Sequence, residues 1–220
     1  MRRLRLSVRL GKGAFAEEEV ARLRAWGAKI SQATSPVRDL DIAIEWLRAG
    51  KAGPGLVQEC EQRRSRVWRR RRRLLRAVPV HLTTRLGRPR AGGKSEALIL
   101  RRQRRLETRY REHMRRDLPA FFRLGEQDRH EFRRVVRWWR YLREVALPKR
   151  KLPKDGLLAA LLNLQEALGD IQNLALVDGA LRQLTPSAEL GELRRLLTRQ
   201  QQAQSGKARQ AMAALKSRLG

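Results

Sequence analysis

One run of residues, His130–Glu144 (HEFRRVVRWWRYLRE), constrains the fold of this chain more than any other stretch. Winding it at 100° per residue puts Phe132, Val135, Val136, Trp139, Leu142 and, one turn on, Ala146 on one side. His130, Arg133, Arg137, Arg140 and Tyr141 fall in a narrow stripe opposite, and Arg134 adds to the charge. Such a helix has to lie with its apolar side on a core and leaves a row of guanidinium groups on the other side.

The rest of the chain repeats that pattern. Strand signals are nearly absent, and Ala, Leu, Arg and Glu recur at helical spacing, so the expected fold class is all-α. Helices are expected at Met1–Lys12, from Glu17–Glu19 to Ser35-Pro36, over Val37–Ala49, from about Leu56 to Val78, and over Lys94–Asp117. Lys51–Gly55 (KAGPG) reads as a break and Pro79–Lys94 as the longest irregular stretch. Beyond Pro148–Pro153, two apolar helices, Lys154–Leu168 and Ile171–Leu184, are expected to meet at Gly169-Asp170. A last long helix follows the turn Thr185-Pro186-Ser187. Asp39, Asp41 and Asn173, close to expected helix starts, read as caps and inter-helix hydrogen-bond partners rather than metal ligands.

Charge narrows the function classes. The formal net charge is +29, and 42 of the 51 basic residues are Arg. Guanidinium forks bidentately onto phosphate where Lys acts as a point charge. A body so cationic associates with nucleic acid, phosphate polymers or acidic membranes. Cys60 is the single cysteine, which excludes an internal disulfide framework and a Cys-based metal cluster. No apolar run approaches a membrane span, and MRRLRLSVRLGKG lacks the apolar region of a signal peptide, so a cytoplasmic location is expected.

Several tempting motifs fail on inspection. Gly92-Gly93-Lys94-Ser95 looks like the end of a P-loop, but Arg88 stands where its first glycine belongs and no strand precedes it. His81, His113 and His130 share no metal-ligand spacing. No acid pair or nucleophile–base pair stands out, so no catalytic site and no cofactor are expected. Arg64 and Arg71 fall within the apolar face of the helix after Leu56; each must snorkel outward or look into a wet, charged cavity.

The two halves of the chain are weakly self-similar. An offset of 128 lays Arg2, Arg5, Arg9 and Lys12 over His130, Arg133, Arg137 and Arg140. An offset of 134 lays Val37-Arg38-Asp39-Leu40 over Ile171-Gln172-Asn173-Leu174. The expected organisation is a single domain of two repeats, about 1–78 and about 128–220, joined by a loop and the basic helix 94–117.

HEFRRVVRWWRY followed by LLNLQEALGDIQNLALV resembles the second half of a CHAD domain, a histidine-containing α-helical domain. The residues carrying the resemblance are His130, Arg133, Arg137, Arg140-Tyr141, Gln165, Leu168-Gly169 and Asn173, with Arg2, Arg5, Arg9 and Val37-Arg38-Asp39-Leu40-Asp41 in the first half. Arg2 replaces the first-half histidine, and Leu10 and Trp138 each replace one member of a basic pair. The resemblance implies two pseudo-symmetric bundles of roughly four long antiparallel helices each, with a basic groove or pore between them. It also implies inorganic polyphosphate as ligand and residence on polyphosphate granules.

A polyphosphate chain lying along the stripe His130–Arg140 would meet a guanidinium at each helical turn, with the stripe Arg2–Lys12 as its counterpart. Arg66, Arg69, Arg70, Arg73, Arg101, Arg105 and Arg109 would extend the surface, and Tyr141 could donate a hydroxyl. A histidine beside bound phosphates gains a proton. The alternatives are a nucleic-acid-binding helical protein, an enzyme acting on polyphosphate through His130, and a merely solvated helix face. Net charge alone supports non-specific nucleic-acid binding, although exposed aromatics interleaved with the basic residues are not evident.

Overall fold

The computed structural model describes Leu6, Leu10 and residues 17–78, 94–146 and 154–219. Described residues form α1 (Glu17–Ala49), α2 (Pro54–Arg71), α3 (Lys94–Asp117), α4 (Glu126–Ala146), α5 (Gly156–Leu181) and α6 (Ala188–Lys216). Short 3₁₀ helices, Arg72–Ala77 and Leu118–Arg123, extend α2 and α3. Leu6 and Leu10 are helical as well, and no strand occurs among the described residues. The all-α expectation therefore holds. The irregular stretch 79–93, the PKRKLP segment and the basic residues Arg2, Arg5, Arg9 and Lys12 lie outside the described residues.

Helix ends follow local chemistry. At the end of α1 the N–H of Ala52 bonds the carbonyl of Leu47 (3.0 Å) and that of Lys51 the carbonyl of Arg48 (3.1 Å). This nested pair is a Schellman stop, and Lys51 takes its left-handed position with φ 55°. Pro54 opens α2, where a missing N–H costs nothing. The N–H of Gly53 donates to the Glu189 carboxylate, and an added Cβ would stand only 3.0 Å from that carboxylate, so glycine permits the approach. Ser187 caps α6 by accepting the N–H of Leu190 at 3.1 Å. Glu126 and Asp128 sit in the first turn of α4, where the helix dipole favours anions.

Two expected helix breaks do not exist. α1 runs through Ser35-Pro36, and α5 runs through Gly169-Asp170. An internal proline loses one hydrogen bond and crowds the preceding turn, at about 3 kcal/mol. Ala33 and Val37, on the same face either side of Pro36, are both buried, and burial on both sides holds the helix through the proline. Gly169 costs only about 1 kcal/mol in a helix interior. Leu164 and Leu168 before it, and Leu174 and Val177 after it, are buried. With α1 and α5 continuous, Asp39, Asp41 and Asn173 lie in mid-helix, so none is a cap.

The described residues pack as two compact units. One comprises Leu6, Leu10, α3, α4, α5 as far as Leu168 and α6 from Gly206. Its core joins Phe132, Val136, Trp139 and Leu142 of α4 to Met114, Phe121, Leu161, Leu164 and Leu215, with Phe121 and Phe132 rings 5.0 Å apart. The other comprises α1 from Glu18, α2, α5 from Gly169 and α6 as far as Ser205. Its core gathers Ala43, Ile44, Leu47, Cys60, Val177, Leu181, Leu190 and Leu197.

Candidate polyanion-binding face

α4 shows how the apolar repeat and the charge are divided. Phe132, Val135, Val136, Trp139 and Leu142 are buried as the periodicity demands. On the other side His130 and Arg134 are exposed, while Arg133 and Arg137 are half-buried. Towards its C-terminus the helix sinks into the fold, and here the expected stripe fails. Tyr141 is only 8% exposed, its ring lying under the Arg140 guanidinium at 4.3 Å and edge-on to Trp138 at 6.4 Å. The Arg140 side chain is only 16% exposed and ion-paired to Glu144 at 3.5 Å. Tyr141 is therefore a packing residue, and the open part of the stripe is its N-terminal half.

Arg133 is a poorly compensated cation on that open half. Burial and the neighbouring Arg129 lower its pKa, only partly countered by Glu126, and it has no ion-pair partner among the described residues. Arg134 differs, since it bonds Glu131 on its own helix at 2.7 Å.

α3 supplies a second row in the same unit. Arg101, Arg105 and Arg109 recur every four residues, on one helix face, and all three are exposed. Arg101 and Arg105 line a shallow depression with Leu98 and Arg102. Arg109 and Arg134 meet in a cleft of about 340 Å³ between α3 and α4, with Tyr110, His113, Glu131, Val135 and Trp138. His113 continues the four-residue rhythm of Arg105 and Arg109, a signal that identifies it as a neighbour of the row. Its Nε2 lies 3.1 Å from Asp117, and its Nδ1 lies 3.2 Å from Arg116. Hydrogen bonding from Arg116 holds the Asp117 carboxyl below its ordinary range, against burial and with help from His113.

In the other unit Arg66, Arg69, Arg70 and Arg73 are exposed along α2 and its 3₁₀ extension, as the sequence predicts. The two arginines of uncertain placement are settled without a cavity. Arg64 snorkels out to an ion pair with Asp41 of α1, both side chains about two-fifths exposed, and Arg71 is exposed. Asp39 is half-buried, and burial pushes its carboxyl above the ordinary range despite Arg38.

Other arginines are spent on the fold. Arg102 donates to the Leu10 carbonyl at 3.2 Å and Arg115 to the Leu219 carbonyl at 2.5 Å. Arg143 bridges Glu107 of α3 at 2.5 Å and Asp155, which precedes α5. Among the described residues no three His, Cys, Asp or Glu side chains converge, and no described helix is long and apolar enough to cross a membrane.

These features define an all-helical protein with dense, accessible guanidinium surface on several helices. The family model of the CHAD domain matches residues 1–182, and the chain belongs to that family. Comparison with curated proteins and with solved structures gave no match.

Proposed function

We propose that the protein binds inorganic polyphosphate without turning it over, gripping the polymer on arginine-rich helix faces. The observation that carries this reading is Arg133: a half-buried guanidinium crowded by Arg129, with no ion-pair partner among the described residues, on the stripe that bears the family's histidine. A phosphate oxygen placed there neutralises a charge that the fold leaves uncompensated. His130, Arg134 and Arg137 flank it on α4, and Arg101, Arg105 and Arg109 of α3 prolong the cationic surface, joined at the cleft that Arg109 and Arg134 share. Arg66, Arg69, Arg70 and Arg73 add a further cationic face on α2. Membership of the family supports polyphosphate over other polyanions, and residence on polyphosphate granules follows from the same reading. The two-repeat organisation with a basic groove, and the contribution of Arg2, Arg5, Arg9 and Lys12, belong to this proposal.

The test is competition. At physiological salt, labelled long-chain polyphosphate should be displaced by unlabelled polyphosphate at far lower phosphate concentration than by RNA or duplex DNA. Preference for RNA or DNA would overturn the reading. Incubation with labelled polyphosphate, with and without divalent metal, should leave chain length unchanged; shortening would make the protein an enzyme. A salt titration does not discriminate, because counterion release weakens binding to every polyanion.

A further inference from the structure

The aromatic face of Trp68 has nothing to stack on in a bare phosphate chain. It sits on α2 and is 36% exposed. One helical turn before it lies Arg64, and one turn beyond lie Arg71 and Arg72. From Arg63 to Arg76 the chain carries nine arginines and no acid.

The two halves of α2 are employed differently. In the first, Glu61 pairs with Arg48 at 2.5 Å and Glu59 accepts the N–H of Thr185 at 3.2 Å. Arg63 donates to Gln183 at 3.2 Å, and Arg64 is tied to Asp41. All of these bonds knit the helix into its own unit. From Arg66 onward the arginines have no carboxylate partner among the described residues; Arg66 and Arg69 turn back only to the carbonyls of Gln62 and Ser65. The indole therefore stands where the partnered half of the helix gives way to arginines that have no carboxylate partner among the described residues.

An exposed aromatic face among arginines is what an unpaired base stacks on while its phosphates meet the cations. Polyphosphate has no such face to offer, and a duplex keeps its base faces inside its own stack. We propose that the second half of α2 is a single-stranded nucleic-acid-binding surface on which Trp68 stacks a base. The arginines are shared with the proposed polyphosphate face; the indole is what distinguishes the two ligands.

Anisotropy of labelled oligo(U) and oligo(dT), measured on the full chain at fixed salt, tests it. Trp68→Ala should weaken both oligonucleotides by roughly 5-fold or more, the range of one lost base stack. Trp68→Phe should keep most of the affinity and, with an unchanged thermal transition, exclude misfolding as the cause. A duplex of the same length and long-chain polyphosphate should bind both variants as they bind the parent. Loss confined to oligo(U) identifies RNA as the ligand, and equal loss identifies single strands of either sugar. Unchanged single-strand affinity in Trp68→Ala would overturn the proposal, as would a parallel loss of polyphosphate binding.

Discussion

Arginines that look alike in the sequence have different tasks, and Arg133, Arg140 and Arg143 on one helix show it. Arg133 lacks an ion-pair partner among the described residues, Arg140 is stacked and paired, and Arg143 holds two carboxylates. Arg133→Ala should lower polyphosphate affinity by about 1.5–3 kcal/mol, roughly 10- to 100-fold, with little change in thermal stability. Arg140→Ala should do the reverse; isothermal calorimetry and thermal melts separate the two. Asp155 carries a pH signature. Burial pushes its carboxyl up, but the hydrogen bonds from Arg143 and the N–H of Leu158 outweigh burial and hold it below the usual carboxylate range. A depressed folded pKa means that its stabilisation is complete above the unfolded value, about 3.9, and is lost as pH falls through the folded value. Asp155→Asn keeps a capping group, so it should cost about 1–3 kcal/mol at pH 7, and the gap from the parent should close below about pH 4. A gap that persists into acid would show that the charge is not what Asp155 contributes. Periodicity placed Tyr141 in the stripe because it records angle about the helix axis, whereas burial depends on what covers the helix.

Helix identity was legible along α2, α3, α4 and α6, where long periodic faces and clear stops such as KAGPG agree. It failed at Pro36 and Gly169, both residues that usually punctuate structure, because the packing that carries a helix past a poor residue comes from partners distant in sequence. Each misreading supplies a test. Gly169 has open space where a Cβ would go and lies within α5, so Gly169→Ala should raise stability by about 0.5–1 kcal/mol. A loss would mean that the chain turns there. Lys51 occupies the left-handed position of the α1 stop with a side chain that disfavours it. Lys51→Gly should therefore stabilise the chain by about 1 kcal/mol, a rise of roughly 2–4 °C in melting temperature.

For the molecule as a whole, the amount and type of charge were plain in composition, and the ligand class rested on a few spaced residues of α4 and α5. Which guanidinium groups remain open to solvent was legible only in part. Arg102, Arg115 and Arg143 look like their arginine neighbours in the sequence, yet they bind carbonyls and carboxylates within their own unit. Conversely, the four-residue rhythm of α3 places His113 beside Arg109, but not the cleft with Arg134 of α4 that the two line together. Charge density thus predicts that the protein binds polyanions, and the placement of a few arginines is what a test of the proposed face has to vary. The most direct test compares Arg133→Ala with Arg22→Ala and Arg199→Ala, exposed arginines outside the proposed face, each titrated with long-chain polyphosphate at one salt concentration. Loss of roughly tenfold or more in Arg133→Ala, against less than twofold in the other two, is the expected result. Equal losses in all three would mean that α4 is a solvated helix face and that net charge alone does the binding.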